Sequence, residues 1–249
     1  MKSVASINVT RPNGGVRAVF SSAIMEEHAS MLSWASEILH PNEYEYFRTL
    51  RYEKRQLSYL LGRLAAKKAL SLLLDETDLT SMEIKSGVFQ QPVVHYLSTE
   101  TVGVSISHTG RYAVALAFPE VHPMAIDMET ITLDHQEAIQ TQLTSKEIEW
   151  LASCQLPVEV AGTLLWTIKE GLSKVLRTGL TIPCALMEIN ELRKIRAHDY
   201  YESAFTHFRQ YKSRSWIVHD QVVSIIYPVK SEMDLECIEK VIVCKSDGI

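Results

Sequence analysis

The sequence predicts an α+β fold: a pseudo-two-fold pair of similar lobes, each a small antiparallel sheet packed with a long helix, with a cleft between them. Three observations predict it. Two long segments, YEKRQLSYLLGRLAAKKALSLLL and GTLLWTIKEGLSKVL, carry apolar residues at helical spacing. Strand-like pairs follow each of them, TVGVSISH with RYAVALAFP and later SWIVHDQVVSIIYP. No low-complexity segment divides the chain, so the halves are expected to join near Pro119 to Pro123, giving lobes over 1–120 and 121–249. No sequence repeat relating the halves is evident by eye.

The elements are justified in order. Ser3 to Thr10 and Val16 to Phe20 have strand character. After His40-Pro41 a helical region begins, in which Leu57, Leu60, Leu61 and Leu64 form an apolar stripe while Arg63 and Lys67 stack one turn apart on another face. Only Thr109-Gly110 separates the next two runs, a hairpin signal. HPMAIDMET reads as a short strand. Thr144 with Glu147 makes a T-x-x-E capping box opening the helix TSKEIEWLAS. In the following helix Leu165, Ile168, Leu172 and Val175 form the core stripe. Trp166, Glu170 and Lys174 share a different face.

A chain of 249 residues can bury a sizeable core, and 46% hydrophobic with 22% charged residues is ordinary for a globular protein. The net charge of −5 gives no support for nucleic acid as a partner. The four cysteines, Cys154, Cys184, Cys237 and Cys244, lack CxxC spacing and are expected to be free thiols in a reducing cytoplasm. No signal peptide is evident, and no apolar run approaches the roughly 18 residues of a membrane span. A cytoplasmic protein with no membrane contact is expected.

Chemistry concentrates in three places. Along a strand, side chains alternate, so Asp127 and Glu129 share one face about 7 Å apart, with Ile126 and Met128 marking the opposite, core face. Like charges that close are costly unless compensated. A solvated edge strand is one solution; a bound divalent cation is the other. Glu170 would supply a third carboxylate. Lys174 could neutralise phosphate charge nearby, although the Glu170–Lys174 spacing also fits a plain solvated ion pair. Ser107 and His108 end a strand at a tight turn, where a hydroxyl, an imidazole and turn amides could bind phosphate. An ordinary hairpin with an incidental His fits equally. There is no zinc cluster, P-loop or GxSxG elbow.

The ordered motifs GVSISHTGRYAVALA, AIDMET and WTIKEGLSKVLRTGL together resemble the 4′-phosphopantetheinyl transferases, over roughly Pro41 to Leu180. Length and layout resemble the long, monomeric Sfp-type branch. The resemblance implies transfer of phosphopantetheine from coenzyme A to a serine of an apo acyl or peptidyl carrier protein, with release of 3′,5′-ADP. It implies Mg²⁺ or Mn²⁺ on Asp127, Glu129 and Glu170, with Glu170 also the base and Lys174 stabilising the pyrophosphate. It further implies coenzyme A contacts from Ser107, His108, Arg63 and Lys67, in the N-terminal lobe, and a monomer. Departures are Ala125 for the usual Gly, Gly171 for a frequent Ala, and Gln91 before Pro92 for a lysine. Basic residues that relatives carry upstream of the first long helix fall near Glu43 and Tyr46, with Arg48 and Arg51 close by.

Two other functions keep the same residues. A hydrolase would use the acids to cleave a nucleotide or coenzyme A pyrophosphate with water, and a non-catalytic module would only dock carrier proteins. The carrier is expected to meet the segment from Leu143 to Leu165, including Lys146.

Overall fold

In a computed structural model, residues 3–24, 32–97, 101–196, 199–234 and 238 are described. The chain forms two compact units, one of Met1–Pro123 with Ser231–Ile249 and one of Met124–Lys230. The boundary at Pro123 lies near the expected junction. The segment after Lys230, expected in the second lobe, clusters with the first, because its short strand pairs with the first strand of the chain.

In the first unit, β1 (Val4–Arg11), β2 (Gly14–Ile24), β5 (Val102–Thr109), β6 (Tyr112–Pro119) and β12 (Glu232–Met233) make an antiparallel sheet in the order β12-β1-β2-β6-β5. The short α1 (Ala35–Ile38) and α2 (Pro41–Thr49) lead into α3 (Glu53–Leu74), and β3 (Glu83–Ser86) pairs with β4 (Pro92–His95). Of the leucine stripe of α3, Leu57, Leu60 and Leu61 are buried on the sheet with Val19, Ala113, Ala115 and Ala117, and Leu64 is half-buried against them. Small alanines on β6 let the helix lie close to the strands. The β5–β6 turn is Gly110-Arg111, one residue beyond the expected Thr109-Gly110. Gly110 takes the positive φ of 54° that favours glycine at the first turn position.

In the second unit, β7 (Ala125–Thr130) is followed by α4 (Gln136–Gln140), α5 (Ser145–Ser153) and α6 (Val158–Leu176). Then come β8 (Ile189–Ile195), β9 (Tyr200–Phe205), β10 (Tyr211–Val218) and β11 (Gln221–Pro228), in the sheet order β7-β11-β10-β9-β8. The α6 stripe Leu165, Ile168, Leu172 and Val175 is buried as expected, with Ala125, Val222 and Ile226 of the sheet.

The two units repeat one plan. In each, an N-terminal capping box opens a helix, at His40/Glu43 of α2 and at Thr144/Glu147 of α5. The box glutamate then pairs with a fully buried lysine of the long helix, Glu43 with Lys67 and Glu147 with Lys169. It also accepts a bond from the next strand, from Ile84 N at 3.1 Å and from Ile189 N at 2.9 Å. Each lysine donates to a carbonyl between helix and strand, Leu79 O at 3.0 Å and Cys184 O at 2.8 Å. The sequence carries this after all, as KKALS from Lys67 and KEGLS from Lys169.

Candidate active site

Asp127 and Glu129 alternate with Ile126 and Met128, but both faces of β7 are buried, and the acids occupy the one turned to α6. The solvated edge strand is therefore excluded: β7 is the edge of its sheet, yet Asp127 is 0% exposed. α6 brings Glu170 to the same place. One carboxylate oxygen each from Asp127, Glu129 and Glu170 lies within 4.8 Å of the others. Gly171 permits the approach. A Cβ there would stand 2.2 Å from Ile226 Cδ1 and 3.8 Å from Asp127 Cβ.

Three acids this close repel, and the electrostatics show it. Burial first, then the charges of Asp127 and Glu170, push the Glu129 carboxyl up to about 7, with Lys174 pulling it down. Burial and then Asp127 push Glu170 up to about 7 against the same lysine. Lys174 Nζ lies 2.6 Å from Asp127 Oδ1 and 3.4 Å from Ile126 O. One cation against three carboxylates leaves room for a second, and an all-oxygen donor set suits a hard divalent ion.

The repeat shows where this site comes from. In the hairpins β5–β6 and β10–β11 the fourth residues after the turn are Ala115 and Ser224, which pair with Ser21 of β2 and Asp127 of β7. Two residues on, Ala23 of β2 stands where Glu129 stands in β7. Aligned on Lys67 and Lys169, the long helices place Lys68 opposite Glu170 and Leu72 opposite Lys174. The acids and their lysine thus belong to the second copy of the plan alone.

Beside the acids is a cavity of about 880 Å³ within the second unit. Glu129 stands in its wall with Trp166, His135, Thr132, Leu180 and Cys184. Trp166 of α6 therefore looks into this cavity. The Thr132–Gln142 and Leu180–Cys184 contributions were not legible, since neither segment carries a motif.

The first-unit residues fare differently. His108 and Arg63 line a cavity of about 710 Å³ with Tyr46, Arg55, Tyr59 and Lys85. His108 Nε2 lies 3.2 Å from Ser58 Oγ, while Arg63 is held by Glu43 at 2.9 Å and lies over the Tyr59 ring. Ser107, its neighbour on the strand, is buried on the face away from α3 and is absent from that wall. Lys67 requires correction. It does not present its charge on a helix surface, because its ammonium is fully buried between Glu43 and Leu79 O. Burial lowers its pKa, opposed by Glu43. Glu43 is the reason Lys67 can be buried at all.

Cys154 and Cys184 are free thiols; Cys237 and Cys244 lie outside the described residues. No helix among the described residues is long and apolar enough to cross a membrane.

Residues 123–226, nearly the whole of the second unit, match the family model described as the 4′-phosphopantetheinyl transferase superfamily. The chain is 31% identical to the holo-[acyl-carrier-protein] synthase of Staphylococcus saprophyticus over 115 residues, covering 43% of this chain and 96% of that one. It is 31% identical to the enzyme of the same name from Mycoplasma mycoides over 85 residues, 34% of this chain and 76% of that one. A solved holo-(acyl-carrier-protein) synthase from Bacillus anthracis, in complex with CoA (3′,5′-ADP), aligns at 22% identity with a TM-score of 0.37, over 47% of this chain and 96% of that one. The three acids and Lys174 lie inside the matched segment, and with 31% identity across 96% of the Staphylococcus saprophyticus enzyme this chain belongs to the 4′-phosphopantetheinyl transferase superfamily.

Proposed function

We propose that this chain transfers the 4′-phosphopantetheine group of coenzyme A to a serine hydroxyl of an apo acyl or peptidyl carrier protein, releasing 3′,5′-ADP. The observation that carries this is the closure of Asp127, Glu129 and Glu170 to within 4.8 Å, next to Lys174, inside the segment that matches the family. These three acids would hold a Mg²⁺ or Mn²⁺ ion. Such an ion, when bound, neutralises charge on the pyrophosphate and polarises the phosphorus under attack.

The protein's own groups supply the rest. The serine oxygen attacks the phosphorus attached to the pantetheine arm, and the bond from that phosphorus to the bridging oxygen of 3′,5′-ADP breaks. Glu170 takes the hydroxyl proton. Lys174, now on Asp127, stands within reach of the same site to offset the charge of the leaving phosphate. In the first unit, His108, Arg55 and Lys85 offer cationic or hydrogen-bonding groups to coenzyme A phosphates in their cavity, beside Arg63. Lys146, exposed on α5, would meet an acidic carrier.

The test is release of 3′,5′-ADP from coenzyme A with and without apo carrier protein. Release that requires the carrier supports transfer. Equal release in its absence would favour hydrolysis by water instead.

A further inference from the structure

We propose that the buried Glu147–Lys169 ion pair is a positioning device for the metal-binding acids, acting through Glu170; the inference rests on the metal role given to the triad above. Lys169 immediately precedes Glu170 on α6, and its ammonium is fully buried, 2.9 Å from Glu147 Oε2 and 2.8 Å from Cys184 O. Glu147 is 2% exposed. Its Oε2 also accepts from Thr144 N at 2.8 Å, and its Oε1 from Ile189 N at 2.9 Å. The ion pair therefore ties together the start of α5, the middle of α6 and the first residue of β8 through Glu147, and the carbonyl of Cys184 through Lys169. Cys184 is itself part of the cavity wall that includes Glu129.

The geometry explains why this matters at Glu170. A helix with side chains is about 10–12 Å across, so a carboxylate rides about 6 Å from its axis. Rotating α6 by about 10° would move that carboxylate by about 1 Å. A Mg²⁺ site that demands oxygen ligands at about 2.0–2.1 Å does not tolerate such a shift. The leucine stripe holds α6 on the sheet through shape alone. The hydrogen-bonded pair is directional, and it sits one residue from the ligand.

The repeat provides an internal control. Glu43 and Lys67 make the corresponding contacts in the first unit, where Ser21, Ala23 and Lys68 stand at the positions of Asp127, Glu129 and Glu170. If the pair merely stabilised its fold, both copies would behave alike.

The experiment compares Lys169→Met and Lys67→Met in the full chain by thermal melting and by Mn²⁺ titration followed by electron paramagnetic resonance. Both substitutions should lower the melting temperature, Lys169→Met because it takes the lysine from buried Glu147 and Lys67→Met by less, because Glu43 keeps Arg63 at 2.9 Å. Only Lys169→Met should weaken Mn²⁺ binding, by about tenfold or more, as loss of supporting groups around metal ligands does. Lys67→Met should stay within about twofold. Because Lys169→Met could fold poorly, the double variant Glu147→Gln/Lys169→Met removes both charges and keeps the packing. It should melt higher than the single variant and still bind Mn²⁺ weakly. A folded double variant with unaltered Mn²⁺ affinity would overturn the inference alone. No Mn²⁺ binding by the unsubstituted chain would overturn the metal role of the triad and the inference with it.

Discussion

Lys174 Nζ sits 2.6 Å from Asp127 Oδ1, joining the last turn of α6 to the edge strand β7 across the acid cluster. The pair has a buried anion and a partly exposed cation, so the lysine can stay paired while also facing an incoming anion. Lys174→Met should lower kcat for transfer by about 100-fold or more, the loss seen when one preorganised donor to developing charge is removed. It should also destabilise the metal-free protein by about 1–3 kcal/mol, the cost of a buried polar group losing its partner. Added Mg²⁺ should restore part of that stability. Steady-state kinetics and melting curves with and without metal check both.

Metal and pH are linked through Glu129 and Glu170. An unfolded glutamate ionises at about 4.3, whereas both carboxyls hold their protons to about 7 in the fold. A raised acid contributes stability that is complete below its unfolded value and is lost as pH rises through the folded one. Metal-free protein should therefore lose stability from these groups between about pH 4.3 and 7. The ionised acids are also the ones that bind a cation, so the rise in melting temperature on replacing EDTA with Mg²⁺ should be larger at pH 8 than at pH 6. A difference that does not change with pH would contradict this.

Gly171 sets how closely α6 lies on the strands. Gly171→Ala gains about 1 kcal/mol of helix propensity, while its Cβ forces the Ile226 δ-methyl to swing away. The two effects should roughly cancel and leave the metal-induced shift intact. Gly171→Leu adds bulk that a side-chain swing cannot absorb, and should cost about 1–3 kcal/mol. It should also remove the metal-induced shift, because it wedges Glu170 away from Asp127. Melting with and without Mg²⁺ separates the two variants.

Much of this was legible in the sequence, for identifiable reasons. The stripe Leu165, Ile168, Leu172 and Val175 and the Thr144/Glu147 box are local patterns, and local patterns survive folding. The acids could be singled out because carboxylates two apart on a strand are costly without compensation. Their face could not, since Ile126 and Met128 are also buried and apolar alternation then gives no direction. β8 gives no strand signal because Glu191, Arg193 and Lys194 interrupt its apolar alternation. Lys67 was misplaced because its partner Glu43 is far away in sequence, and no local pattern signals a buried cation. Only comparison of KKALS with KEGLS could have paired Lys67 with Lys169.

Lys146 is exposed at the start of α5, with its Nζ 2.8 Å from Asn190 Oδ1. Reversing a rim charge changes encounter more than chemistry. Lys146→Glu should raise KM for an acidic carrier several-fold, about 0.2–1 kcal/mol of an exposed ion pair lost and a repulsion added. The kcat and the KM for coenzyme A should be unchanged. An unaltered carrier KM would remove α5 from the docking surface.

The most direct measurement is intact-protein mass spectrometry of an apo carrier protein incubated with this chain, coenzyme A and Mg²⁺. The carrier should gain one phosphopantetheine, and the gain should vanish with EDTA and with Glu170→Gln. Coenzyme A cleaved with no gain on any carrier, or full transfer by Glu170→Gln, would contradict the role given to the three acids.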